Sequence, residues 1–82
     1  MTINQLLEKL QLAKEKFGGE TEVLLECQDD VEINTVAFAS YTDPVDETNN
    51  LTELRLTDMS AEDFRDFLEY EVEYENVEVE EV

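Results

Sequence analysis

At 82 residues the chain has room for one domain, and a chain this short buries only about 60% of its unfolded surface. Its 23 Asp and Glu against 5 Lys and Arg give a formal net charge of −18, which excludes direct binding to DNA, RNA or an anionic membrane surface, because each of these recruits basic footprints. With no His and a single Cys, the chain lacks the commonest general base, the favoured transition-metal ligands and any internal disulfide.

Residues 2–17 read as a helix. Thr2 and Gln5 have capping-box spacing. Ile3, Leu6, Leu7, Leu10, Ala13 and Phe17 recur at helical spacing along one face. Gly18-Gly19 supplies a residue that can close the last turn, where Lys14 and Lys16 suit the negative end of the helix dipole. Residues 21–27 alternate as a strand, with Val23, Leu25 and Cys27 inward, so that Cys27 reads as a small core residue. Gln28-Asp29-Asp30 fits a tight turn. In residues 31–40 the apolar positions shift from odd (Val31, Ile33) to even (Val36, Phe38), which predicts a bulge near Asn34-Thr35. Residues 41–50, with the only proline, read as a loop. Residues 51–57 give a third strand, Leu54 and Leu56 inward, Glu53 and Arg55 outward.

A second helix starts at Ser60, a good N-cap, and buries Phe64, Phe67 and Leu68, with Met59 placed to staple its entry. The stretch EYEVEYENVEVEEV, residues 69–82, cannot easily continue that helix. Glu69 would stack over Glu73 and Glu71 over Glu75, each pair costing about 0.2–0.5 kcal/mol. Tyr70, Val72 and Tyr74 instead alternate with glutamates, and after Asn76 the parity slips to Val77 and Val79. The helix is therefore expected to stop near Glu69 to Glu71. Beyond it the chain forms either a fourth edge strand or an extended acidic tail, with residues 76–82 disordered in the latter case. The expected fold is α+β: a single small domain of α-β-β-β-α order, an antiparallel sheet with both helices on one face.

No catalytic, cofactor or metal motif is present. The acidic loops 28–32 and 42–47 lack the spacing and central glycine of a calcium loop. Paired carboxylates alone, among 23, do not indicate catalysis. The reading is non-enzymatic, with no cofactor. The N-terminus lacks a basic region followed by an apolar run, and no apolar stretch approaches a membrane span, so the cytoplasm is the expected compartment.

The remaining signal is the placement of charge. From Asp58 to Val82 there are eleven acids and only Arg65 opposes them. Same-face strand residues repeat at roughly 6.7 Å, and one DNA strand carries a phosphate per roughly 3.4 Å of axis. One glutamate row thus supplies about half the axial charge density of one DNA strand, and Asp63 and Asp66 are available for a second row. The opening MTINQLLEKL followed by GGETEVLLE, the three strands, the acidic loop and the acidic end resemble small phage and mobile-element proteins of the anti-CRISPR and anti-restriction DNA-mimic kind. The valine-rich alternating C-terminus departs from the helical end of that class. The resemblance implies a DNA mimic that blocks a basic nucleic-acid-binding protein, such as a CRISPR effector or a restriction-type nuclease. The alternative is a small phage interaction module or antitoxin-like binder of a basic partner. The expected contact residues are Asp63, Asp66, Glu69, Glu71, Glu73, Glu75, Glu78 and Glu80, with Tyr70 and Tyr74 either packing on the sheet or joining the contact. Monomer and dimer are both compatible with the sequence.

Overall fold

A computed structural model describes residues 1–28, 31–46 and 48–82. In chain order the elements are α1 (Ile3–Phe17), β1 (Val23–Glu26), β2 (Thr35–Thr42), β3 (Asn50–Thr57), α2 (Ala61–Asp66), a π-helical turn (Phe67–Glu71) and β4 (Glu75–Glu81). The α+β class and the α-β-β-β-α order hold, and the acidic C-terminal stretch is a fourth strand at a sheet edge rather than a tail. No helix among the described residues is long and apolar enough to cross a membrane.

The strands lie in the order β1-β3-β2-β4. The sheet is mixed: β2 runs antiparallel to both β3 and β4, but β1 runs parallel to β3. The expectation of a wholly antiparallel sheet fails because β3 inserts between β1 and β2. The segment after β1 therefore crosses the end of β3 instead of forming a tight hairpin turn; Asp29 and Asp30, assigned to that turn, lie outside the described residues. Asp58 pins the crossing. Its carboxylate accepts the Gln28 N–H at 3.0 and 3.1 Å, and its carbonyl accepts from the Asn34 side chain at 2.9 Å.

Local sequence accounts for the element ends. Thr2 and Gln5 form the reciprocal capping box that starts α1, at 2.9 and 3.2 Å. Gly18 closes the helix with φ 96°, a conformation that a side chain disfavours. No bulge occurs at Asn34-Thr35. β2 begins at Thr35, so the odd-numbered Val31 and Ile33 precede the strand and the apparent change of parity marks its start. The irregularity in the ladder lies instead between Ser40 and Thr42, where Asn76 adopts φ 54° on β4 and shifts its register. Val77 and Val79 then point inward, as the parity slip after Asn76 implied.

The helices cover opposite faces of the sheet, not one face. Val36 and Phe38 of β2, with Leu54 and Leu56 of β3, pack under Leu6, Leu10, Ala13 and Phe17 of α1. Ala39 and Tyr41 of β2, with Leu51, Val77 and Val79, pack under Phe64, Phe67 and Leu68 from α2 and the π-helical turn. Phe17 stacks on Phe38 and Tyr41 on Tyr74, with ring centroids 3.9 and 4.1 Å apart. β1 lies beyond the footprint of α1, so Val23, Leu25 and Cys27, expected inward, are exposed, as are Ile3 and Leu7 on the helix.

Since α2 covers its other face, β3 also buries Glu53 and most of Arg55, two residues whose parity alone would send them to solvent. The Glu53 Oε1 accepts from Tyr41 Oη at 2.6 Å and from Arg55 Nε at 2.7 Å, and Arg55 Nη2 donates to the same atom. Arg55 Nη1 reaches Glu26 of β1 at 3.3 Å, and the guanidinium lies 5.6 Å from the ring centroid of Phe64. One cation therefore ties β1, β2, β3 and α2 together. Burial raises the pKa of Tyr41, and the adjacent Glu53 carboxylate raises it further. For Arg55, burial alone would lower the pKa, but the bond to Glu53 and its charge outweigh that and leave it raised.

Removing one member of such a cluster strands the others. Arg55→Met is expected to cost about 3–5 kcal/mol, which for a domain this size lowers the Tm by more than about 12 °C; a drop of less than about 4 °C in a thermal melt contradicts this account of the core. A second expectation concerns pH. A raised folded pKa on Tyr41 contributes stability that is complete below the free phenol value of about 10 and is lost above it. In an alkaline titration followed by phenolate absorbance, one tyrosine should ionise only together with loss of the circular-dichroism signal. Independent ionisation of all three at an ordinary phenol pKa counts against the Tyr41–Glu53 bond.

Candidate protein-binding surface

The expected contact residues all fall between the start of α2 and the end of β4, so the geometry of this segment decides which of them act together. Ser60 caps α2 by accepting the Asp63 N–H at 3.1 Å. Glu62 and Asp63 then sit in the first turn, where the helix dipole favours them. After Asp66 the helix widens into one π turn, and the Val72 N–H reaches back to Phe67 O at 3.1 Å. This inserts a residue into the helical repeat. Leu68 stays buried while Tyr70 swings out to 74% exposure.

The break between helix and strand is made by Glu73 at φ 62°. A glycine or asparagine is the ordinary occupant of that left-handed position. Here a charged side chain sits there despite a backbone cost of roughly 1–2 kcal/mol.

Four of the ten expected residues converge. Asp63, Asp66, Tyr70 and Glu71 line one cavity of about 440 Å³, completed by Gln28, Met59 and Phe67. Its polar members are mainly carboxylates and its apolar members are a thioether and two aromatic rings. Such a site suits the aliphatic stem and charged head of a Lys or Arg side chain. Glu73 and Glu75 are both exposed beyond it, but Glu75 pairs in register with Thr42, on the same β2 face as Ser40 and Phe38.

The other four stand apart. Glu69 is half-buried and accepts from Arg65 Nε at 3.3 Å, one helical turn away. Glu78 and Glu80 pair in register with Ser40 and Phe38, so they point to the α1 side of the sheet, where Glu80 meets Lys16. Tyr74 is half-buried against Tyr41 and belongs to the core, which leaves Tyr70 as the exposed aromatic of the pair. Met59 and Gln28 were not singled out from the sequence as contact residues. Met59 read only as a helix staple, and Gln28 is brought in by the crossing segment that Asp58 anchors.

Among the described residues no group of three or more His, Cys, Asp or Glu is placed to hold a metal ion. Glu47 of the acidic loop 42–47 lies outside them. Asp46 has its pKa lowered by hydrogen bonds from the Thr48 hydroxyl and N–H, as in an ordinary Asx turn.

The strain at Glu73 has a measurable consequence. Glu73→Gly should be neutral to stability or raise it by up to about 1 kcal/mol, because it relieves the left-handed backbone while loosening the unfolded chain; a loss above about 1 kcal/mol in denaturant unfolding refutes that reading. Comparison with protein-family models, with curated proteins and with solved structures finds no match to this chain.

Proposed function

We propose that the protein is a non-enzymatic acidic inhibitor that occupies the cationic nucleic-acid-binding groove of a basic protein, in the manner of a phage DNA mimic. The observation that carries this reading is the acidic cavity of Asp63, Asp66, Tyr70 and Glu71, with Glu73 exposed two residues beyond it. Eleven acids from Asp58 to Val82 face a single base in that segment, Arg65, and Arg65 is engaged with Glu69. The surface therefore keeps most of its charge for an external cation. Attraction of this kind is long-range, speeds association and weakens with salt.

The retention of Glu73 in a strained position favours the same reading, because a residue held against its backbone preference points to a role beyond stability. The cavity's Met59, Phe67 and Tyr70 favour the second reading, an interaction module that grips a basic partner by shape and apolar contact as well as charge.

Salt and substitution separate the two. The protein immobilised and exposed to a lysate of its host should retain basic nucleic-acid-binding proteins that duplex DNA displaces. Changing Glu71, Glu73 and Glu75 together to Gln should weaken capture at least about tenfold, or about 1.4 kcal/mol. The fold should survive this change, since removing like charges relieves self-repulsion. Capture that persists at 1 M salt, where the Debye length is about 3 Å, and that fails instead in Tyr70→Ala, sinks the DNA-mimic reading in favour of the module.

A further inference from the structure

The two edges of the sheet differ sharply. β4 carries Glu75, Glu78, Glu80 and Glu81, all exposed, the kind of charged edge that repels a further strand. β1, at the other edge, exposes Val23, Leu24 and Leu25 at 51, 40 and 62%. Three apolar residues of α1 are exposed as well, Ile3 at 80%, Leu7 at 59% and, away from this flank, Leu12 at 49%. Lys9 and Lys16 turn the opposite flank of α1 toward β4, where they meet Val82 and Glu80. Leu6, Leu10 and Ala13 face the sheet. At 100° per residue, Ile3 and Leu7 then fall on the flank turned toward β1. An open cavity of about 230 Å³ between Leu10, Ala13, Lys14 and Val23 lies along that side.

We propose that this edge is a homodimer interface, in which β1 of a second copy adds antiparallel to β1 about a two-fold axis at Leu25. The backbone is set for it. The Leu54 N–H donates to Glu22 O at 2.8 Å, so the even-numbered residues of β1 serve β3, and the N–H and C=O groups of Val23, Leu25 and Cys27 point outward.

A second copy fits because the edge is self-complementary. With Leu25 on the axis, Leu25 meets Leu25, Val23 meets Cys27 and Glu22 meets Gln28. Moving the axis to Leu24 would set Glu22 against Glu26, a like-charge pair that disfavours that register. Charge also selects the occupant. Lys14 of α1 lies beside this edge, near Val23, while the glutamates of β4 line the other. A basic partner is drawn to the acidic side rather than to this apolar strand. In the dimer the two β4 strands stand about seven strand spacings apart, roughly 33 Å, more than three Debye lengths at 0.1 M salt. Repulsion between the two β4 edges is thereby screened.

Sedimentation equilibrium under reducing conditions tests this independently of the proposed function. At about 100 µM the chain should sediment at twice its 9.5 kDa mass, and added salt should strengthen the dimer. Binding of a basic partner has the opposite salt dependence. Leu25→Lys, and Leu25→Thr, which keeps strand propensity, should each weaken association at least about tenfold with unchanged circular dichroism. Val45→Lys, at a site 93% exposed on a loop, should leave it unchanged. A chain that stays at 9.5 kDa at that concentration in high salt, or a dimer indifferent to both Leu25 variants, overturns the proposal.

Discussion

Arg55 is the interaction on which the fold turns. In a chain carrying 23 carboxylates, one guanidinium is drawn beneath α2, where Glu53 and Glu26 neutralise it, Tyr41 completes the shell and Phe64 covers it. A planar cation with several donors can serve partners on three strands at once, which a lysine could not do with the same geometry. Burying charge is costly in general, and a cluster of this kind contributes more to fixing register than to net stability. Here register is the harder problem. β1 could pair with β2 as a hairpin, as its sequence suggests, and the Arg55–Glu26 contact holds β1 against β3 instead.

Other cations are used in the same way. Lys9 donates to the backbone carbonyl of Val82, Lys16 meets Glu80, and Arg65 meets Glu69. Each holds an element of the fold in place, α1 against the end of β4 in the first two cases. Four of the five cations thus meet groups of the same chain, and the exposed carboxylates of α2, the π-helical turn and β4 far outnumber them. Structure and surface character have this common origin.

Much of this was legible in the sequence. The capping box at Thr2, the N-cap at Ser60, the end of the second helix at Glu71 and the parity slip after Asn76 each rest on local chemistry, and each is found. What failed was non-local. Alternation placed Glu53 and Arg55 outward because it assumes a sheet with one dry face, and here both faces are covered. The same assumption placed Cys27, Val23 and Leu25 inward, although β1 ends up beyond the reach of α1. At the candidate surface the acidic residues were visible as a run, but periodicity could not foresee a π turn. That turn joins Tyr70 and Glu71 to Asp63 and Asp66, while the register of β4 against β2 sets Glu78 and Glu80 on another face.

The unlike edges of the sheet bear on how large any assembly can grow. A strand that accepts another at both borders propagates without limit into a fibre, since every added unit offers the next a template. Here a joined pair would present only its glutamate-studded borders to the outside, and a two-fold contact uses up the single sticky border of each member. The glutamates of β4 therefore act as terminators: they make any stacking of this sheet finite, whatever else they bind.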